Sequence, residues 1–365
     1  MRFAVLGAGL MGRLVALALV RAGHAVDVYE RGGPDGAAAA AHVAAAMLAP
    51  LAESVVSEPI VARLGLASLK LWPELLATLP EPVFFQQNGT LILWHSQDRD
   101  QAAQFGARLR TLDAELIREG GPRELRGADI EALEPALGQR FPRALYLPGE
   151  GQLDNRATLD ALRAALEASE ARLHWHTEMS PGQADADWVL DCRGLGAKPD
   201  WSAVRGVRGE VVRVHSPDVQ LHRPVRLLHP RYPIYIAPKP GGIYVIGATQ
   251  IETEDTSPAS VRSALELLSA LYSVHPAFGE ARILEMLTNC RPALPDNLPE
   301  IRWDGRRLIQ VNGLYRHGFL VAPALAEATL ALVQHLAELG GEHFETWCGT
   351  QPWAALYRLN AIGQG

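Results

Sequence analysis

The chain has 365 residues, 48% of them hydrophobic and 21% charged, with a formal net charge of −7. That length supports two sizeable cores, and the balance is ordinary for a soluble globular protein. Interspersed charge signs leave no basic stripe, which argues against nucleic acid as a partner. Three cysteines without a CxxC pair, Cys192, Cys290 and Cys348, argue against a disulfide framework or a zinc site and read as reduced cytoplasmic thiols.

Taken in chain order, the first predicted unit is the most informative. A short apolar strand, Phe3 to Leu6, runs into Gly7-x-Gly9-x-x-Gly12. A helical pattern follows, with Leu10, Leu14, Leu17 and Ala18 on one side. A second strand, Ala25 to Tyr29, ends at Glu30. This is the order and spacing of a dinucleotide-binding βαβ unit. Gly7 permits the tight turn, Gly9 the approach of a pyrophosphate, and Gly12 close packing of helix on sheet. The helix N-terminus offers its free N–H groups to phosphate. Glu30 can accept hydrogen bonds from ribose hydroxyls, and its charge argues against NADP, although Arg31 weakens that argument. The motif leaves NAD and FAD open. The opening superficially resembles a signal peptide, but Arg13 interrupts the apolar run and the glycine fingerprint accounts for the same residues. No stretch reaches the ~18 uncharged apolar residues of a membrane span.

Residues 36–48 are alanine-rich and read equally as a plain helix or as a helix whose small side chains let a large flat cofactor lie against the backbone. Residues 57–79 are helical, broken by Pro80 and Pro82. Residues 84–85 and 90–94 read as strands of a hairpin through Asn88-Gly89. A polar amphipathic helix is predicted over 98–120 and a short one over 129–133. A strand opens at Tyr146, and a helix runs over 157–169. Strands follow at 172–176 and 188–191, the second ending in Cys192-Arg193-Gly194-Leu195-Gly196. This return to nucleotide-binding architecture after an interruption predicts an inserted domain. Strands are expected at 211–214, 234–237, 243–248 and 308–311, and helices at 261–272 and 324–339. His174 and His176 share a strand face but lack partners at metal-binding spacing, so no metal is expected.

Four further segments matter together with the N-terminus. They are Ala44-Ala45-Ala46-Met47-Leu48; Tyr235-Ile236-Ala237-Pro238 with Gly247-Ala248-Thr249; Cys290-Arg291-Pro292-Ala293-Leu294-Pro295-Asp296; and Gly313-Leu314-Tyr315-Arg316-His317-Gly318. This set resembles the D-amino-acid-oxidase family of FAD flavoproteins, most closely its glycine oxidases of thiamine biosynthesis. The resemblance runs over nearly the whole chain, in family order. It implies an α/β fold, with a Rossmann-like FAD-binding domain assembled from 1–78, 145–204 and 292–365. An inserted α+β antiparallel-sheet substrate domain would comprise 79–144 and 205–291. The implied reaction is oxidation of a small amine carrying a carboxylate, with hydride delivered to noncovalent FAD and oxygen reduced to hydrogen peroxide.

The resemblance also implies residue roles. Arg291 would form a two-point salt bridge with the substrate carboxylate, as a guanidinium fork allows. Tyr235 and Arg316 would meet the same carboxylate. FAD would contact Gly7, Ala8, Gly9, Leu10, Met11, Gly12, Glu30, Arg31, Ala45, Ala46, Met47, Leu48, Cys192, Gly194 and Gly196. It would also contact the loop of Arg316, His317, Gly318, Phe319 and Leu320, near a helix expected to begin at Ala322-Pro323. Three departures from the family are Ala46 for a common glycine, Pro233 for a histidine and Gln250 for a methionine. A buried Gln250 amide would favour small or polar amines over bulky apolar D-amino acids. No strong base is required. Competing readings are an NAD-dependent dehydrogenase, a nucleotide-binding module without turnover, and a D-amino-acid dehydrogenase feeding a membrane quinone. The preferred amine, the electron acceptor and any homo-oligomer stay open.

Overall fold

The computed structural model describes residues 1–112, 116–117 and 121–360. The opening unit forms as the sequence predicts: strand Arg2–Leu6, helix Leu10–Arg21, strand Ala25–Tyr29. These strands sit inside a seven-stranded sheet that also contains Arg172–His174, Trp188–Asp191, Leu308–Asn312, Glu300–Trp303 and Tyr357–Leu359. Its centre is parallel, and only the pairing of Glu300–Trp303 with Leu308–Asn312 is antiparallel. Buried apolar runs such as Phe3–Leu6 follow from helices covering such a sheet.

A second sheet has eight strands, and its strand Arg205–His215 pairs antiparallel on both sides with Arg282–Ala293 and Ile243–Gly247. A parallel pair, Val225–Leu228 beside Thr90–Trp94, links its two halves. The divisions expected at 145 and 292 fall inside the strands Arg143–Leu147 and Arg282–Ala293. A third sheet of three short strands, Met47–Leu48, Gly151–Leu153 and Phe85–Gln86, lies in the connection between the two larger ones.

Several expectations are corrected. Phe85–Gln86 and Thr90–Trp94 are strands, but they do not pair with each other. The turn between them carries the chain from one sheet to another. It is tied by the Asn88 side chain to the His222 carbonyl and by the Gly89 N–H to the Glu150 carbonyl. The alanine tract is not a long helix. Only Ala40–Val43 is helical, after which the chain extends into Met47–Leu48 with Ala46 at φ 52°. Tertiary pairing with Gly151–Leu153 overrides alanine's helix propensity. The helix predicted over 98–120 is shorter, Arg99–Arg110, and residues 113–115 and 118–120 lie outside the described set.

The long helix begins at Gly318, ahead of the expected Ala322-Pro323, and runs to Leu339 with Pro323 inside it. Proline has no N–H, so the Phe319 carbonyl four residues back is freed. The Trp72 indole N–H donates to that carbonyl at 2.9 Å, and Trp72 is fully buried. By length and composition, Tyr315–Leu339 could cross a membrane, with mean hydropathy 1.5, yet 78% of that window is buried. It packs between helices Leu10–Arg21 and Pro59–Leu76 and forms the core of the first unit.

Candidate active site

A cleft of about 1210 Å³ runs from the glycine turn of the first sheet to the face of the second. The turn is shaped by sterics. Gly7 sits at φ +88°, and a Cβ on it would stand 2.8 Å from the Cys192 carbonyl and the Arg193 Cα. A Cβ on Gly12 would stand 1.8 Å from the Gly7 carbonyl oxygen, so only glycine fits there. Gly9 is open, its nearest neighbour being the Ala39 methyl at 3.7 Å. Helix Leu10–Arg21 starts without a side-chain cap and without an acidic residue in its first turn. Its N-terminal amides and positive dipole end are therefore available to a diphosphate.

Glu30 ends the second strand, and its two oxygens accept the Ala8 and Gly32 N–H groups at 2.7 and 2.8 Å. Arg13 is fully buried behind the turn. Its guanidinium donates to the carbonyls of Ala8, Leu159 and Pro34 at 2.7, 2.6 and 3.0 Å. Burial pushes its pKa down to about 10. Arg13 is thus a buttress of the glycine loop; an arginine amid an apolar helix was the one signal of it.

The far wall is an apolar patch in which Ala45 packs with Val211, Ala237 and Val245, with Met47, Tyr235 and Ala248 around it. Behind it stands Lys239, which is 6% exposed. Its ammonium donates to the Ala45 and Leu153 carbonyls at 2.9 and 2.7 Å and to Gln152 Oε1 at 3.2 Å. Burial pushes its pKa down to about 7. Lys239 holds the extended 44–47 segment in place, which local sequence did not announce.

The charged end of the cleft contains Arg291, Tyr235, Arg316 and His317, as the sequence predicts, together with Glu53 and Arg226, which it does not. Glu53 accepts from Arg226 Nη1 at 2.9 Å, pairs with Arg316 Nε at 3.0 Å, and lies 3.4 Å from His317 Nδ1. Burial raises the Glu53 carboxyl, but Arg316, Arg226 and His317 outweigh it and hold the pKa at about 2. His317 is 4% exposed, and burial pushes it down to about 4 despite Glu53 nearby. Burial raises the Tyr235 hydroxyl pKa. Arg316 therefore already has a carboxylate partner. Arg291 differs: among the described residues its guanidinium donates only to the carbonyls of Arg208, at 3.3 Å, and Thr249, at 3.2 Å. Among the described residues no carboxylate forms an ion pair with it. Burial lowers its pKa.

Of the predicted residues, Gly7, Ala8, Gly9, Leu10, Met11, Glu30, Arg31, Ala45, Ala46, Met47, Cys192, Gly194 and Gln250 line the same cleft as the charged end and the loop Gly318 to Leu320. Gly12, Leu48 and Gly196 do not. Gly12 acts through the turn, and Leu48 is fully buried in the core beneath. Gln250 is exposed on the cleft wall, which removes the premise of a buried amide. Gln250→Met is accordingly expected to change the ratio of kcat/KM for glycine over D-leucine by less than about threefold, because an exposed amide keeps its water partners whichever side chain the substrate carries. A tenfold change in steady-state measurements would overturn this. His174 stacks on Tyr29 and bonds Asp27 at 2.8 Å. Among the described residues no group of metal-binding side chains occurs.

Comparison with known proteins agrees with this geometry. The profile of a family described as FAD dependent oxidoreductase (DAO) matches residues 2–332. A protein of Rhizobium etli named as a thiamine biosynthesis oxidoreductase, ThiO, is 44% identical over 89% of this chain and 94% of its own. A glycine oxidase of Geobacillus kaustophilus is 27% identical over 93% of this chain and 98% of its own. The crystal structure of glycine oxidase from Geobacillus kaustophilus superimposes with a TM-score of 0.78 at 25% identity, covering 92% of this chain and 95% of that one. Iminodiacetate oxidase from Chelativorans sp. BNC1 shares the fold, with a TM-score of 0.77 at 21% identity over 94% of this chain and 98% of its own. The glycine turn, the cleft and a match over most of its length place this chain in the DAO family of FAD-dependent oxidoreductases.

Proposed function

We propose that this enzyme oxidises glycine or another small amine bearing a carboxylate, such as sarcosine or a small D-amino acid, in the supply of the thiamine thiazole. The products are the imine or its 2-oxo acid and hydrogen peroxide. One observation carries the reading: Arg291 is a cation in the cleft wall whose partners among the described residues are carbonyls. A guanidinium so placed is complementary to a carboxylate. Tyr235, half-buried beside it, offers a hydroxyl to the same group. Arg316 contributes less directly, because Glu53 already holds it.

FAD, when bound, supplies the acceptor for the two electrons lost from the C–N unit. The glycine turn and uncapped helix would hold its diphosphate, Glu30 would meet the ribose, and Ala45, Ala46 and Met47 would supply the flat wall. The unit built on the seven-stranded sheet carries the cofactor. The eight-stranded sheet, which includes all of Arg143–Leu147 and Arg282–Ala293, carries the carboxylate anchor. The chain's own residues orient the amine and exclude water, and a neutral amine needs no added base. FAD dependence sets aside the NAD-dependent reading. The three free, buried cysteines fit a reducing cytoplasm.

The test is anaerobic bleaching of the flavin by a panel of amines, followed by peroxide measurement on admitting oxygen. Glycine, sarcosine and small D-amino acids should bleach it. A flavin untouched by all of them, or reoxidised only by a quinone, would reject the proposal. Attachment is expected to be noncovalent. Cys290 is buried in the second sheet, its Sγ 3.7 Å from the Thr253 and Asp255 carbonyls, and His317 is enclosed beside Glu53. Acid precipitation should leave all yellow colour in the supernatant, and flavin in the pellet would contradict this.

A further inference from the structure

We propose that Glu210, acting through Thr249, fixes the plane of the Arg291 guanidinium, and that Arg208-Gly209-Glu210 is built as its seat. The inference rests on the reading of Arg291 as the carboxylate anchor. An arginine has a long, flexible stem, and an anchor that must choose its orientation on binding loses affinity to ordering. The structure shows how that choice is removed. The guanidinium lies flat across Gly209, where a Cβ would stand 2.3 Å from Nη2, 2.4 Å from Cζ and 2.5 Å from Nη1. Two carbonyls grip it there. Nη1 donates to Arg208 at 3.3 Å, and both Nη1 and Nη2 donate to Thr249 at 3.2 Å.

The Thr249 carbonyl is the shared acceptor, so its position decides the plane. Thr249 lies beyond the regular ladder, whose last pair is Val211 with Gly247. Its N–H still donates to the Glu210 carbonyl, at 3.3 Å, and its hydroxyl adds a second and closer tie to the same residue. That hydroxyl accepts the Glu210 N–H at 2.9 Å and donates to Glu210 Oε2 at 2.8 Å. Glu210 is fully buried, and Arg208 donates to its other oxygen at 2.7 and 3.1 Å. Arg208, 4% exposed, is itself tied to the carbonyls of Asp255 and Pro258 at 2.7 and 3.0 Å. A buried carboxylate is thus committed to a threonine hydroxyl. Such a charge-assisted bond is short and directional. The proposed oxidation gives this pair no other task. The strand's alternation completes the device: Arg208 and Glu210 face one side, leaving Gly209 bare for Arg291 on the other.

The holoenzyme is titrated with acetate, a carboxylate without an amine, through its perturbation of flavin absorbance. KM and kcat are measured in parallel with the best amine. Thr249→Val should raise the acetate Kd and the KM by about tenfold each, the worth of one charge-assisted bond, with kcat within about twofold. Thr249→Ser, which restores the hydroxyl, should return both to within about twofold of wild type. Glu210→Gln keeps the volume, removes the charge, and should weaken acetate by about fivefold. Arg291→Lys is the control. If it weakens acetate while Thr249→Val and Glu210→Gln do not, the seat is refuted and the anchor stands. If Arg291→Lys binds acetate like wild type, the anchor fails and this inference with it. Should Thr249→Val not fold, the Glu210→Gln constants decide alone. Loss of kcat with unchanged KM in either variant also overturns the proposal.

Discussion

Glu53→Gln should lower the stability of the folded enzyme by about 3–5 kcal/mol at neutral pH, as removal of one partner from a buried ion cluster does. The carboxylate holds Arg226 at 2.9 Å and Arg316 at 3.0 Å, and the Glu53 and Arg226 side chains are each 14% exposed. Glutamine keeps the shape and one acceptor but leaves two guanidinium groups without a counter-charge. The pH dependence has a definite sign. The folded-state pKa of Glu53 is depressed to about 2 from 4.5. Its contribution is therefore complete above about pH 4.5 and is lost as pH falls through about 2. Urea denaturation of wild type and variant at neutral pH measures the difference, which should shrink toward pH 2. Equal midpoints at neutral pH would show that the cluster contributes nothing. The variant should also release Arg316 toward the cleft, so acetate should bind it no more weakly than wild type.

The nucleotide-binding unit was legible because its constraints are local. Gly7, Gly9 and Gly12 are demanded by backbone geometry within one turn, and the flanking apolar strands declare themselves. The cluster around Glu53 was not legible. Its members come from helix Pro50–Ser54, strand Val225–Leu228 and the turn at Tyr315–His317, three segments joined only by the fold. The strand holding Arg226 was not predicted at all, so its arginine had no face. Lys239 was hidden for a similar reason: it serves carbonyls of Ala45 and Leu153, which are distant in sequence. The alanine tract failed in the opposite direction. Its composition favours a helix, but pairing of Met47–Leu48 with Gly151–Leu153 pulls it straight and forms the cleft wall. The error about Gln250 was one of burial, which a strand-end position does not reveal. Arg291 was legible through its family motif, but what holds it was not, since Thr249 reaches it from the segment after strand Ile243–Gly247.

Arg291→Lys should weaken carboxylate binding by about 1.5–3 kcal/mol, or roughly 10–150-fold, while leaving FAD content unchanged. Lysine keeps the positive charge, so a purely electrostatic role would survive the change. What is lost is the planar fork and the grip on its back edge. The Thr249 carbonyl accepts from both Nη1 and Nη2 at 3.2 Å, an arrangement one ammonium cannot reproduce while also presenting two donors to a ligand. The cofactor should be indifferent, because the glycine turn and Glu30 lie on the other sheet. Acetate titration of the flavin spectrum, with protein-bound FAD counted after acid release, separates the two effects. A variant that loses FAD in step with acetate affinity would assign Arg291 to the cofactor. A variant with wild-type acetate affinity would remove it from the site altogether. Only selective loss, with the yellow colour retained, fits an anchor whose direction the protein sets before its ligand arrives.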